Sequence, residues 1–353
     1  MDAILLVGGQ GTRLRPLTIS APKPMLPTAG VPFTAHQLAR ARAAGIDHVV
    51  LATSYRAEVF EEHFGDGSAF GLELEYVTEL VPLGTGGGMR NVADRLRSEH
   101  VVVLNGDVLD GHDIAAQVEL SRETGAAVTL YLTRVEDPRA FGCVPVDDAG
   151  RVTGFLEKDP APVTNLVNAG CYVFRRQTLL EIPAGEVVSV ERRTFPGLLA
   201  AGELLQGFID DSYWLDLGTP EAFVRGSCDL VLGKVSSPAL PGPTGEWLLL
   251  PGAEVASGAR LSGGTTVGTG ASVGAGAWVQ GSVLFDQAQV GAGAQVWGSV
   301  LGRGASVGAG TVLADVVVGD GARIGAGNEL RAGARVFPGA VLGDGAVRFS
   351  SDR

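Results

Sequence analysis

Four short stretches of this sequence combine charge with glycine or proline in patterns that suit phosphate chemistry. The first is Gly8-Gly9-Gln10-Gly11-Thr12-Arg13-Leu14-Arg15-Pro16. Its glycines let the backbone approach a phosphate and turn amides toward it. Arg13 and Arg15 inside the loop favour a polyphosphate over a plain turn. A dinucleotide-binding fingerprint is the rival reading, but Leu14 stands where its third glycine belongs. The second stretch is Ala21-Pro22-Lys23-Pro24-Met25-Leu26-Pro27, where prolines on both sides of Lys23 restrict the backbone and can hold an ammonium at low entropic cost. Only three of the 27 basic residues are lysines: Lys23, Lys158 and Lys234. Lysines that survive such a bias are expected where a compact ammonium on a flexible stem is needed.

The third stretch, Asn105-Gly106-Asp107, follows the apolar run Val101–Leu104, and the fourth, Trp214-Leu215-Asp216-Leu217-Gly218, sets an isolated acid between apolar residues. A carboxylate at a strand end beside a phosphate loop is where Mg²⁺ is usually held, by one or two carboxylates plus phosphate oxygens. Each has a plainer reading. Gly-Asp is common in turns, and an acid ahead of Pro220 can cap a helix, although Thr219 fits that role better. Three further stretches read as readily as surface features: Phe155-Leu156-Glu157-Lys158, Val167-Asn168-Ala169-Gly170, and Pro82-Leu83-Gly84-Thr85-Gly86-Gly87-Gly88, which opens a helix.

The elements around these stretches are strands alternating with helical patterns over the first 230 residues or so. Ala3–Val7, His48–Ala52, Val101–Leu104 and Ala126–Leu132 read as strands, 151–156 as strand-like, and His36–Ala44 as a helix ending at Gly45. This alternation predicts an α/β, Rossmann-like domain with a mostly parallel sheet and helices on both faces. Ligands bind such sheets beyond the carboxyl ends of the strands, where Gly8–Arg13 and Asn105–Asp107 fall. Residues 233–246 read as a Ser/Pro/Gly linker, dividing 1–232 from 247–353.

Beyond the linker the period changes to six. Val255, Leu261, Val267, Val273 and Val279 are six apart, and the pattern runs on to Leu342 with slips that set Leu284, Leu301 and Val318 17 apart. Glycine and alanine fill the gaps. This predicts a parallel β-helix with three short strands per coil. So thin a prism cannot bury Trp278, Phe285 and Trp297 all inside, and some of them are expected to pack against the first domain or a second subunit. A homo-oligomer, dimer or tetramer, assembled with help from the β-helix is expected, so that truncation near Ser237 lowers the oligomeric state or solubility and leaves the site residues in place.

Composition narrows the partners. Nearly all of the net charge of −12 belongs to the first 245 residues, which argues against a nucleic-acid backbone as partner. No apolar run approaches the length of a membrane span. Cys143, Cys171 and Cys228 show neither metal-ligand spacing nor a disulfide framework, and the N-terminus has no signal-peptide pattern, so the cytoplasm is the expected compartment.

Together these stretches resemble the sugar-1-phosphate nucleotidyltransferase family, over residues 2–232 in the family's order, and the hexapeptide domain extends the likeness to nearly the whole chain. Within the family the chain is most similar to the guanylyltransferases that act on mannose 1-phosphate, on Lys23-Pro-Met-Leu-Pro, Leu83-Gly-Thr, Val167-Asn-Ala-Gly, Ser189-Val-Glu-Arg-Arg-Thr-Phe-Pro and Tyr213-Trp-Leu-Asp-Leu-Gly-Thr-Pro. The resemblance implies a left hand for the β-helix and an in-line attack of a sugar 1-phosphate on the α-phosphorus of an NTP. It implies that Leu6, Gly8, Gly9, Gly11, Thr12, Gly84 and Thr85 hold the nucleotide and that Arg13 and Lys23 stabilise the triphosphate. Asp107 and Asp216 would hold Mg²⁺, Lys158 would receive the sugar phosphate, and Gly142, Glu157 and Asn168 would face the sugar. Thymidylyl- or uridylyltransferases of the same fold, and non-catalytic regulatory subunits that bind sugar nucleotides, are the alternatives. All five histidines lie before residue 113, which argues against the histidine-dependent acetyltransferase and cupin domains of some relatives.

Overall fold

The apolar runs of the N-terminal part become the inner strands of a sheet because they are buried on both faces, and His48–Thr53 is buried at every position. The structure, a computed structural model, describes residues 1–54, 56–157 and 161–348. It divides into two compact units that do not follow chain order: one comprises Met1–Gly9 and Gln37–Trp214, the other Gln10–His36 and Leu215–Arg353.

The first unit is built on a nine-stranded sheet. Asp2–Leu6 lies parallel to His48–Thr53 on one side and to His100–Asn105 on the other, and Glu73–Thr78 continues the parallel series. Leu166–Arg175 is antiparallel to both His100–Asn105 and Val128–Arg134, and the latter takes Leu205–Ile209 in parallel. The sheet is therefore parallel from the edge strand Glu73–Thr78 through His100–Asn105 and mixed beyond it. Ile4, Val50, Val103, Leu130, Tyr172 and Phe174 join Met89 and Val92 of the helix Gly84–Val92 in the core. The expected strand over 151–156 does not form. Arg151 and Val152 make isolated bridges, and only Leu156–Glu157 pairs as a strand, with Gly142–Cys143. The cause is local: Asp147 Oδ1 accepts from the Ala149 and Arg151 amides and closes a turn, and Gly154 follows in non-strand backbone.

The second unit contains the β-helix. Its strands form three parallel sheets, each taking one strand per coil. Leu284, Leu301 and Val318 point inward from one sheet, Val273, Val290, Val307 and Ile324 from another, and Val279, Val296, Leu313 and Leu330 from the third, with alanines between them. This is the hexapeptide prism that the period predicts, consistent with a left-handed coil. Near its C-terminal end the Glu329 amide donates to Val347 O at 2.8 Å, which gives that coil edge a partner.

Phe285 is buried, edge-on to Phe223 of the helix Pro220–Val231 with ring centroids 6.3 Å apart, while Trp278 and Trp297 meet each other edge to face at 5.4 Å. The second unit also holds an element that the sequence order hides. Leu14, Leu17 and Leu26, from the segment after the glycine loop, share one apolar cluster with Phe223, Val224 and Cys228 and with Val283, Phe285, Val300 and Val317 of the β-helix. Truncation near Ser237 would remove the last four of these, so the expectation that it leaves the site residues in place does not hold against this packing.

Candidate active site

The glycine loop leaves Asp2–Leu6 at its carboxyl end. The Val7 amide still pairs with Ala52 O at 3.0 Å, and Gly8 O accepts from the Ser54 hydroxyl. A Cβ on Gly8 would lie 2.9 Å from Ser54 Oγ, whereas one on Gly9 would meet open space. Gly8 is thus fixed to the sheet and Gly9 is presented outward. On the adjacent strand end, the Gly106 amide donates to Leu6 O at 2.9 Å, and a Cβ there would stand only 2.3 Å from the same oxygen. Only glycine permits this approach, and it sets the turn carrying Asp107 beside Leu6, whose register partner is Asn105. Gln37 fastens that turn from the helix Phe33–Ala43, its Nε2 donating to Asn105 O at 2.7 Å. Leu6, Gly8, Gly9 and Asp107 therefore gather at neighbouring strand ends.

Gly84 and Thr85 begin the helix Gly84–Val92. Gly84 has φ +73°, and a Cβ on it would lie 2.7 Å from Val188 O. The Thr85 hydroxyl donates to Glu191 Oε2 at 3.1 Å and accepts from the Val190 amide at 2.9 Å. This hydroxyl is engaged within the protein, so backbone is what Gly84 and Thr85 chiefly offer a ligand. Glu79 accepts from the Leu83 amide at 3.1 Å, and burial raises its carboxyl above the usual carboxylate range.

The residues expected at the sugar also converge. Gly142 is the register partner of Glu157, and Cys143 pairs with Val167, next to Asn168. Asn168 stands at a register shift in its strand. Its Nδ2 donates to Tyr172 OH at 2.8 Å, and its Oδ1 accepts from the Gly170 amide at 3.2 Å. Burial holds the Tyr172 phenol well above its ordinary range, so its hydroxyl stays protonated. Trp214 Nε1 donates to Ala169 O at 2.9 Å, and its ring lies edge-on to Phe141 at 5.2 Å. Sequence reasoning gave Tyr172, Trp214, Phe141, Glu191 and Gln37 no role. The only signal for Trp214 and Glu191 was their place inside quoted motifs. Lys158 lies outside the described residues.

In the second unit, Gly11 has φ +59° and accepts at its carbonyl from Thr18 Oγ1 at 2.9 Å, and a Cβ on it would lie 2.8 Å from Lys23 Cβ. Lys23 Nζ is 3.8 Å from Asp216 Oδ1, with the lysine side chain 10% exposed and that of the acid 33%. Gly218 leaves room for the Arg13 guanidinium: a Cβ there would fall 2.5 Å from Arg13 Nη2 and 2.9 Å from Asp216 Oδ1. Arg13, Lys23 and Asp216 are thus brought together beside Gly11 and Thr12. Two cations about one carboxylate leave a positive excess suited to phosphate.

One group of metal-type ligands lies elsewhere. His48, Glu73 and Glu75 have ligand atoms within 4.8 Å of one another. They sit at and near the amino ends of the strands, since Asp2, His48 and Glu73 are register partners there. The His48 nitrogens already face Asp2 and Glu75, and Arg97 and Arg95 pair with the two glutamates. This is an ion-pair network, at the opposite end of the strands from Asp107. No helix among the described residues is long and apolar enough to cross a membrane.

A parallel-centred α/β sheet with a glycine loop and an acid at adjacent strand ends is the construction of a nucleotide-handling enzyme. The chain belongs to the nucleotidyl transferase family, whose model matches residues 2–231, and a second model, described as the GMPPB C-terminal domain, matches residues 244–347. It is 58% identical over 353 residues to mannose-1-phosphate guanylyltransferase of Mycobacterium tuberculosis, covering 100% of this chain and 98% of that protein. It is 37% identical over 268 residues to the mannose-1-phosphate guanylyltransferase catalytic subunit beta of Drosophila melanogaster, covering 72% of this chain and 71% of that protein. Among solved structures, HddC from Yersinia pseudotuberculosis matches 64% of this chain and 97% of its own at 23% identity, with a TM-score of 0.56, a likeness of fold.

Proposed function

We propose that this nucleotidyltransferase joins GMP from GTP to mannose 1-phosphate, giving GDP-mannose and pyrophosphate. The observation that carries this reading is the full-length 58% identity to the mycobacterial guanylyltransferase. A phosphate oxygen of the sugar phosphate attacks the α-phosphorus of GTP; a new P–O bond forms as the bond to the β-phosphate oxygen breaks, and pyrophosphate departs. Catalysis of this kind rests on positioning and charge stabilisation. Leu6, Gly8, Gly9, Gly11 and Thr12 hold the nucleotide, with Gly84 and Thr85 contributing backbone. Arg13 and Lys23 stabilise negative charge on the triphosphate. Gly142, Glu157 and Asn168 face the sugar, and Lys158 receives its phosphate. Asp107 and Asp216 are hard oxygen donors of the type Mg²⁺ takes together with phosphate oxygens. When bound, the ion neutralises charge on those oxygens.

The test is a panel of four NTPs against mannose, glucose and N-acetylglucosamine 1-phosphates, read as pyrophosphate release. GTP with mannose 1-phosphate is expected to give the highest kcat/KM. A clearly higher value with dTTP or UTP overturns the substrate pair, and no turnover with any pair favours a regulatory subunit. We further read the chain as a cytoplasmic homo-oligomer, dimer or tetramer. Its three cysteines are buried thiols, and Trp278 is 39% exposed beside Trp297, which suits a subunit contact. Light scattering at micromolar concentration checks this, and a monomer rules it out.

A further inference from the structure

The segment Gly11–Leu26 carries Arg13 and Lys23 yet has little structure of its own. It forms two three-residue 3₁₀ turns, Thr12–Leu14 and Lys23–Met25, and a four-residue helix, Leu17–Ser20. Pieces this short do not hold themselves in water. Even so, Leu14, Leu17 and Leu26 are each no more than 1% exposed. They are covered by the helix Pro220–Val231, through Phe223, Val224 and Cys228, and by the β-helix, through Val283, Phe285, Val300 and Val317.

The outward faces of the β-helix differ in a way that its own prism does not require. On the face against this segment, Thr266, Val283, Val300 and Val317 form one column in register, all of them buried. Arg335 extends that column, and its Nη1 donates to Arg15 O at 2.7 Å. On a second face the corresponding column is Ser272, Gln289, Ser306 and Arg323. A coil needs apolar residues inside, and an apolar column outside marks a surface that something covers.

We propose that this outward face of the β-helix is a positioning element of the transfer reaction: it seats Gly11–Leu26 so that Arg13 and Lys23 are held for the triphosphate. This rests on the roles proposed above for those two residues. Val283, Phe285, Val300 and Val317 act by packing, and Arg335 by fixing the Arg15 carbonyl. The β-helix is then part of the nucleotide-binding apparatus even though its own residues bear no chemistry.

The experiment uses full-length Phe285→Ala and Val300→Ser, with Gln289→Ala and Ser306→Ala on the second face as controls. Amide hydrogen exchange is followed over residues 11–26, and kcat and KM are measured for both substrates. The two apolar-face variants are expected to speed exchange in 11–26 and to raise KM for GTP about tenfold, more than KM for mannose 1-phosphate, because a small misplacement of a binding group is costly. The controls should match wild type. Wild-type exchange with wild-type constants in both variants overturns the proposal, as does an equal loss toward both substrates with exchange in 11–26 unchanged. If neither variant folds, Arg335→Met decides: a raised KM for GTP, partly restored by Arg335→Lys, supports the proposal, and wild-type constants overturn it. Should wild type prefer another NTP, the substrate reading fails by itself, and the same comparison is made with that NTP.

Discussion

Gly8 and Gly11 are three residues apart, yet the protein holds them by different means. Gly8 belongs to a strand end, tied by backbone and hydroxyl hydrogen bonds to the neighbouring strand and its extension at Ala52 and Ser54. Gly11 opens a segment seated by apolar side chains on residues more than 200 positions later. The first kind of support is set by strand geometry and is insensitive to which side chains surround it. The second depends on shape and volume at distant sites, so substitutions there reach the cations without touching them.

The largest effects test whether both supports serve one reaction. Asp107, on the strand-end side, and Asp216, beside Lys23, are each expected to be indispensable. Asp107→Asn and Asp216→Asn should each raise the barrier by roughly several kcal/mol, the scale of a lost metal contact, with circular dichroism unchanged. Near-wild-type turnover by either variant removes that acid from the metal role and breaks the symmetry.

Lys23 comes next. Its Cβ packs where a side chain on Gly11 would be, at 2.8 Å, and its own side chain is only 10% exposed. A guanidinium is wider than an ammonium, so Lys23→Arg should cost nearly as much as Lys23→Ala, about 100-fold in kcat/KM, the scale of one electrostatic stabiliser. An arginine variant with most of the wild-type activity would show that this segment yields more readily than its packing implies.

Two glycines sharpen the contrast further. An alanine at Gly106 would press on the Leu6 carbonyl, whereas at Gly218 it would meet side-chain ends, the Arg13 guanidinium and Asp216 Oδ1. Gly106→Ala should therefore lose about 1–3 kcal/mol of stability, as overpacked sites do, seen in a chemical melt. Gly218→Ala should keep its melting point and lose activity by displacing the guanidinium. The reverse pattern would mean that the rigid and yielding partners have been misassigned.

The smallest effect concerns His36, which closes the packed segment. Its Nε2 pairs with Thr28 O at 2.8 Å and its Nδ1 with Ser237 Oγ at 2.6 Å, and burial lowers its pKa to about 4. The folded pKa lies below the unfolded one, near 6.5, so the unfolded chain takes up the proton first. The stabilisation is present above pH 6.5 and is lost as pH falls toward 4, amounting to roughly 2 kcal/mol by pH 5. His36→Gln should flatten the stability profile between these values. A variant with an undiminished slope would place the acid sensitivity elsewhere.

Much of this was legible in the sequence for a physical reason: fully buried strands and hexapeptide coils both write a period into the chain. The candidate site stretches stood out because each sets a charge beside glycine, proline or apolar residues within a short span. The seat of Gly11–Leu26 was not legible, because contacts across such a separation leave no local period. One trace was available. On the covered face an apolar residue precedes the inward one in three successive coils, Val283-Leu284, Val300-Leu301 and Val317-Val318, whereas the second face reads Ser272-Val273, Gln289-Val290 and Ser306-Val307. The run 151–156 misled because its alternation ignored the Asp147 turn and Gly154.

The hydrogen bond from Arg335 to the Arg15 carbonyl spans 320 residues of chain. A ribosome making this protein releases Arg13 and Lys23 well before the coils that seat them. Until those coils emerge, Leu14, Leu17 and Leu26 lack the part of their cover that the β-helix supplies. A product terminated before Val283 would therefore carry the glycine loop and the strand-end acid but lack the coils that cover Leu14, Leu17 and Leu26.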